Sequence, residues 1–163
     1  MSAPFFEGWY FKVVDASGEQ RFAFIPGVFV GKTAADSHAF VQVLEGASSR
    51  VAYHRYPIDE FEVADDPFEL RIGQNVFRLD SIQLNIAGSE QSVRGELKFQ
   101  KPVGWPVRLV SPGIMGWYAW VPKMECYHGV LGFDHEVRGA IKVDGNCLNF
   151  DGGKGYIEKD WGK

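Results

Sequence analysis

Short runs of β-branched and aromatic residues recur along this chain. Each ends in Gly, Pro, Asp, Asn or Ser, and no stretch of twelve or more residues shows helical period. Residues 7–15 make the first run and 20–30 the return, bent or bulged at Pro26 and Gly27. Residues 37–45 put Ala39, Val41 and Val43 on the cleaner apolar face, with His38 opposite. Residues 50–56 follow. Pro57 and Pro67 bracket 58–66, which reads as a helical turn or an edge strand. Residues 68–72 and 76–79 flank a tight turn. In 81–87 Ile82, Leu84 and Ile86 share a face; 91–100 answers with Val93, Leu97 and Phe99, and Gly95 as the gap. Residues 125–134, 136–144, 147–150 and 154–161 complete the set. Roughly ten short antiparallel strands spell an all-β sandwich or barrel. A barrel removes edge strands and can hold a ligand. With 163 residues the chain suits a single domain, 1–163.

One stretch breaks the cadence. Residues 105–129 contain three of the five tryptophans, Trp105, Trp117 and Trp120, interrupted by Pro106, Pro112, Pro122, Gly113 and Gly116. Each proline fixes φ and removes a donor, so neither a helix nor a central strand runs through. An aromatic surface on an irregular scaffold suits a small-molecule pocket, though large aromatics also simply fill cores.

A net charge of −4 with no basic run argues against nucleic acid as a partner. Lys and Arg are dispersed, which disfavours an anionic membrane surface; peripheral membrane contact through exposed aromatics stays open. Cys126 and Cys147 make neither a metal motif nor a disulfide framework. The first residues lack a basic region followed by an apolar one, so the expectation is a cytoplasmic protein with reduced thiols.

Period-2 geometry sorts the polar residues. Glu125, Tyr127, Leu131 and Phe133 share a face; Cys126, His128 and Val130 share the other. A carboxyl held against aromatic walls is a candidate general acid, because desolvation disfavours its charged form. Glu125 fits that role if its face is inward; otherwise it is a strand-end hydrogen-bonding group. Glu7 lies with Trp9 and Phe11, and Tyr10 with Lys12. In the last strand Tyr156, Glu158 and Asp160 oppose Ile157, Lys159 and Trp161, and their face could equally be a solvated one. The four histidines show no HxH or HxxxH spacing, so metal ligation is a weak idea. No G-x-S-x-G, phosphate loop or G-x-G-x-x-G occurs. Cys126 with His128 as its base is reachable along one strand but unspecific.

Four segments together have a familiar order: FFEGWYFK (5–12), SPGIMGWYAWVP (111–122), MECYHGV (124–130) and GKGYIEKDWGK (153–163). They resemble the tocopherol cyclase family and its bacterial relatives, from near the first residue to the last. The resemblance implies an antiparallel lipocalin-like (calycin-type) β-barrel, and that 1–163 is the first half of a longer two-barrel protein. It implies an intramolecular cyclase, in the isomerase or intramolecular lyase class, needing no metal or redox cofactor. A phenol oxygen of a prenylated quinol, or a group of another lipophilic isoprenoid, adds to a double bond. That requires an acid for the alkene, an acceptor for the phenol proton and a dry pocket. Glu125, Glu158 and Asp160 are then the candidate acids, with His128 and Tyr127 as partners. Trp9, Tyr10, Trp117, Trp120, Tyr127 and Trp161 are the candidate substrate walls, able to face a developing cation. The alternative is a non-catalytic barrel that binds an apolar small molecule. A third reading pairs the aromatic segment with the missing second half or with a second copy as a homodimer.

Overall fold

The computed structural model describes residues 4–100, 103–104, 113–120 and 125–163. It is all-β. The strands are β1 (Phe5–Val14), β2 (Arg21–Val30), β3 (His38–Glu45), β4 (Arg50–Tyr56), β5 (Phe61–Asp65), β6 (Phe68–Ile72), β7 (Asn75–Arg78), β8 (Ser81–Ala87), β9 (Ser92–Gln100), β10 (Cys126–Val143), β11 (Asn146–Asn149) and β12 (Gly153–Gly162). They form one antiparallel sheet in the order β4-β3-β2-β1-β12-β10-β9-β8-β7-β6-β5, with β11 paired to β10. The only helical pieces among the described residues are 3-10 turns at Ile58–Glu60 and Gly116–Trp120. None is long and apolar enough to cross a membrane.

The strand count differs from ten for two local reasons. Residues 58–66 supply both expected alternatives, a 3-10 turn and then β5. The two runs at 125–134 and 136–144 are one strand, β10, 18 residues long. It does not end at Asp134, whose φ is +40°. Its register against β12 shifts between Val130 and Gly132 and again between Gly132 and His135, so bulges absorb the irregularity. Pro26 makes no bulge: β1 and β2 keep register from Gly8↔Gly27 to Phe11↔Phe24.

Alternation drives one face of every long strand inward. Trp9, Phe11 and Val13 of β1 meet Phe22 and Phe24 of β2, Ala39, Val41 and Val43 of β3, and Leu70 and Ile72 of β6 in one core. Strands at opposite ends of the sheet thus share a core, so the sheet is curled. It is not a closed barrel: β4 and β5 are its edges. Side chains tie β4 to strands from the far half of the sheet. Arg50 on β4 pairs with Asp144 at 2.6 Å, and Asp144 accepts from the Ser92 N–H at 2.8 Å. Asn75 is buried; it donates to the Ile72 carbonyl at 3.0 Å and the Tyr56 hydroxyl at 3.2 Å, and accepts from the Asn85 N–H at 2.8 Å.

Two glycines set how closely β9 and β10 approach. Gly95 (φ +145°) and Gly139 (φ +116°) lie on facing strands. A Cβ at Gly95 would sit 2.4 Å from the Ala140 carbonyl, and one at Gly139 2.4 Å from that of Glu96. Among the described residues the inner face holds one buried polar ring, His135. It lies 4.7 Å from Phe99 between ring centroids and occupies space that a Cβ on Gly155 would need. Neither of its nitrogens has a hydrogen-bond partner.

Candidate active site

Strand β12 lies between β1 and β10, so the first, central and last motifs are neighbours. Register fixes which side chains form rows. Glu7, Trp161 and Tyr127 make one row; Trp9, Lys159 and Gly129 the next. These face inward with the core. Gly8, Asp160 and His128 form a row on the outer face, followed by Tyr10, Glu158 and Val130, then Lys12 and Tyr156.

On the inner face, Lys159 Nζ meets a Glu7 carboxylate oxygen at 2.5 Å. The same ammonium lies 4.7 Å from the Trp9 ring centroid and 5.7 Å from that of Trp161. Tyr127 stacks on Trp161 at 5.6 Å and 12°. Trp9 also packs on Phe61 and Phe68. Here a charged pair is shielded by aromatic faces, and the Trp161 ring lies over Gly129, where even a Cβ would be in ordinary contact with it at 3.6 Å.

The outer face is where proton-carrying groups gather. His128 Nδ1 hydrogen-bonds Asp160, an arrangement that orients an imidazole for proton transfer. The Tyr156 hydroxyl donates to Glu158 at 2.7 Å. Burial first, then that hydrogen bond and the Glu158 charge, hold the Tyr156 proton far more tightly than usual. Tyr10 is pushed the same way by burial and by Glu158. Burial, then Asp160 and Glu158, also raise Cys126, so its thiol stays protonated and is a poor nucleophile. Val130 is 9% exposed although it lies outside the core cluster, and Phe133 packs on Tyr156 at 5.8 Å, so this face is part apolar. Two open grooves run from it. One of about 280 Å³ passes between Tyr10, Lys12, Arg21 and Leu44; one of about 230 Å³ between Lys12, Asp134, Lys154 and Tyr156. Cys126 Sγ, an imidazole nitrogen of His128 and an Asp160 oxygen lie within 4.8 Å of one another, which makes them the group able to hold a metal ion among the described residues.

The expected site therefore divides across the sheet. Glu158, Asp160, His128 and Tyr10 come together outside; Trp9, Trp161 and Tyr127 lie inside. The expectation of acids projecting into an aromatic hollow is corrected on this point. Period 2 sends adjacent residues of β12 to opposite faces, and the inner face is packed with side chains. Glu125 is exposed at the bend before β10 rather than held against aromatic walls. Trp117 and Tyr118 are exposed and stacked at 4.0 Å. Trp105 and the Trp120 side chain lie outside the described residues, and so does most of the expected pairing surface of the aromatic segment. Its Met115 lies beside β10, accepting from the His128 N–H at 3.1 Å. The Glu7–Lys159 pair, the Tyr156–Glu158 bond and buried His135 were not foreseen; strand neighbours far apart in sequence create all but the second.

No family model matches this sequence, and no curated protein does. Solved structures do match. CghA with Sch210972 superposes with a TM-score of 0.61 over 97% of this chain at 11% identity. CghA alone gives 0.61 over 99% at 11%. A protein named as a candidate AttH (NE1406) from Nitrosomonas europaea gives 0.52 over 96% at 13%. The likeness is one of fold, a barrel-like antiparallel sheet. The chain spans about half the length of these structures, 46% of CghA and 50% of the Nitrosomonas protein.

Proposed function

We propose that this chain is the first half of a tocopherol cyclase-like enzyme, closing a ring in a prenylated quinol or other lipophilic isoprenoid by acid–base chemistry without a cofactor. The observation that carries it is the outer face of β1, β12 and β10, where His128–Asp160 stands beside Tyr156–Glu158 and Tyr10. The four motifs and the barrel-like fold support the same reading. On this scheme Tyr10 and Tyr156 keep their protons and hydrogen-bond the quinol. The His128–Asp160 pair delivers a proton to the alkene carbon. The phenol oxygen bonds to the resulting cationic carbon and its proton passes to Glu158. Glu158 and Asp160 are neighbours on this face of β12, so the proton returns from Glu158 to the His128–Asp160 pair; none is gained or lost overall, and the product is an isomer of the substrate. An apolar tail laid along the grooves excludes water and makes each transfer more effective.

A second reading, binding of an apolar small molecule without turnover, is favoured by the open groove beside Tyr10 and Leu44 and by the exposed Trp117–Tyr118 pair. Incubation with a prenylated hydroquinone, followed by chromatography and mass spectrometry, separates the two. Ring-closed isomer is expected, with Asp160→Asn and Glu158→Gln each reducing it by roughly tenfold or more in the manner of general acid–base groups. The test is run on this chain and on a chain extended to two barrels. Wild-type turnover in both variants removes the assignment; unchanged ligand recovered from both chains favours binding alone.

A further inference from the structure

We propose that Cys126, His128 and Asp160 form a site for a thiophilic divalent cation of the zinc class. Cys126 and His128 stand two apart on β10 and so share its outer face, and Asp160 is the direct partner of His128 across the ladder to β12. Thiol, imidazole and carboxylate together are a donor set typical of zinc, and three protein ligands leave a fourth position open. The three donor atoms lie within 4.8 Å of one another. Bonds of about 2.0–2.3 Å in a tetrahedron need ligand separations of roughly 3.2–3.7 Å. His128 Nδ1 and Asp160 are in direct hydrogen-bond contact, so binding parts these two and draws Cys126 Sγ nearer; side chains 51% and 29% exposed leave room for those rotations.

The surroundings suit a cation. Gly8, beside Asp160 on the β1 side, carries no side chain, and even a Cβ there would meet nothing nearer than 3.7 Å. Glu158 lies on the same face and adds negative charge, while Lys12 stands further along, opposite Tyr156. Met115 Sδ, which accepts from the His128 backbone N–H at 3.1 Å, is a further soft sulfur beside this strand. Binding exchanges the Cys126 thiol proton for the metal and releases that proton to solvent. It also occupies the imidazole and carboxylate that the proposed ring closure uses, so the cation would act as an inhibitor of that chemistry. The site itself does not depend on turnover.

Cobalt(II), added to the reduced chain with zinc as competitor, tests this. One cobalt ion per chain is expected, with tetrahedral d–d bands and a thiolate-to-cobalt charge-transfer band, both abolished by zinc. Cys126→Ser should lose the charge-transfer band, and Cys147→Ser should keep it. Asp160→Asn should weaken binding by roughly tenfold or more. Far-ultraviolet circular dichroism establishes that each variant is folded. Absence of the charge-transfer band in the wild type, its survival in Cys126→Ser, or its equal loss in Cys147→Ser overturns the proposal. Ring closure is assayed separately in metal-free buffer, so failure of one reading is distinguishable from failure of the other.

Discussion

His135 makes the stability of this protein depend on pH in a way that can be worked through. The ring is 1% exposed, and neither nitrogen has a hydrogen-bond partner. Burial disfavours the imidazolium, and the charge of Asp134 only partly offsets it, so the group falls from the ordinary 6.5 to about 4. The sign follows from proton counting. Between those two values the unfolded chain binds a proton that the native state refuses, so acidification favours unfolding. Above the unfolded value neither state is protonated and there is no effect. By about pH 5 the cost is about 2 kcal/mol, and it levels near 3.4 kcal/mol below about pH 4.

Urea unfolding followed by tryptophan fluorescence between about pH 7.5 and pH 5 measures this, with His135→Leu as the comparison. Leucine removes the titration and keeps an apolar side chain against Phe99. The absolute stability of the variant is not the readout; its slope with pH is. His54, which burial also lowers, titrates in both proteins and cancels in the difference. The wild type should lose about 2 kcal/mol more than the variant over this range. In a chain of this length that equals roughly 4–8 °C of melting temperature. Parallel slopes in the two proteins would refute the reasoning, because they would mean that His135 is solvated or hydrogen-bonded in the native state.

Three other perturbations test separate parts of the fold. Gly139→Ala forces a Cβ to 2.4 Å from the Glu96 carbonyl at a φ of +116°, so it should cost about 3 kcal/mol in urea unfolding; a loss below about 1 kcal/mol would show that β9 and β10 can separate there. Lys159→Met leaves the mostly buried Glu7 carboxylate without its partner and should cost about 1–3 kcal/mol, most of it restored when Glu7→Gln is added; strict additivity of the two changes would deny their coupling. Iodoacetamide should modify exposed Cys147 before half-buried Cys126, whose thiol is held protonated; mass spectrometry of the two peptides at early times reads the order, and Cys126 reacting first contradicts the electrostatics of the outer face.

Much of the sheet was legible because its signal is local. Ala39, Val41 and Val43, and then Ile82, Leu84 and Ile86, alternate without interruption, and each set is buried. Gly95 stood out as the gap in its strand, and two backbones do approach there. Legibility fails where the ladder slips. From Tyr127 an unbroken period 2 would carry Phe133 to the same face. Two register shifts intervene, and Phe133 lies against Tyr156 of the outer face instead. A bulge has no strong sequence mark beyond glycine, and Gly129 and Gly132 are unremarkable among nineteen.

The site was legible as two faces but not as inside and outside. Alternation separates Tyr156, Glu158 and Asp160 from Ile157, Lys159 and Trp161, yet both sets mix polar and apolar groups, so neither reads as the buried one. Only pairing between residues more than a hundred positions apart decides it. Trp9 stands beside Lys159, and that row turns inward with the core. The consequence bears on the proposed chemistry. The faces of Trp9 and Trp161 already shield the Lys159 ammonium, so they are not free to stabilise a carbocation formed on the other side of the sheet. Any aromatic surface that meets such a cation must lie over His128 and Glu158. The exposed Trp117–Tyr118 pair belongs to the segment whose Met115 touches the His128 backbone. If ring closure occurs here, Trp117→Ala should lower kcat while Trp161→Leu acts on stability; the reverse pattern would return the chemistry to the inner face.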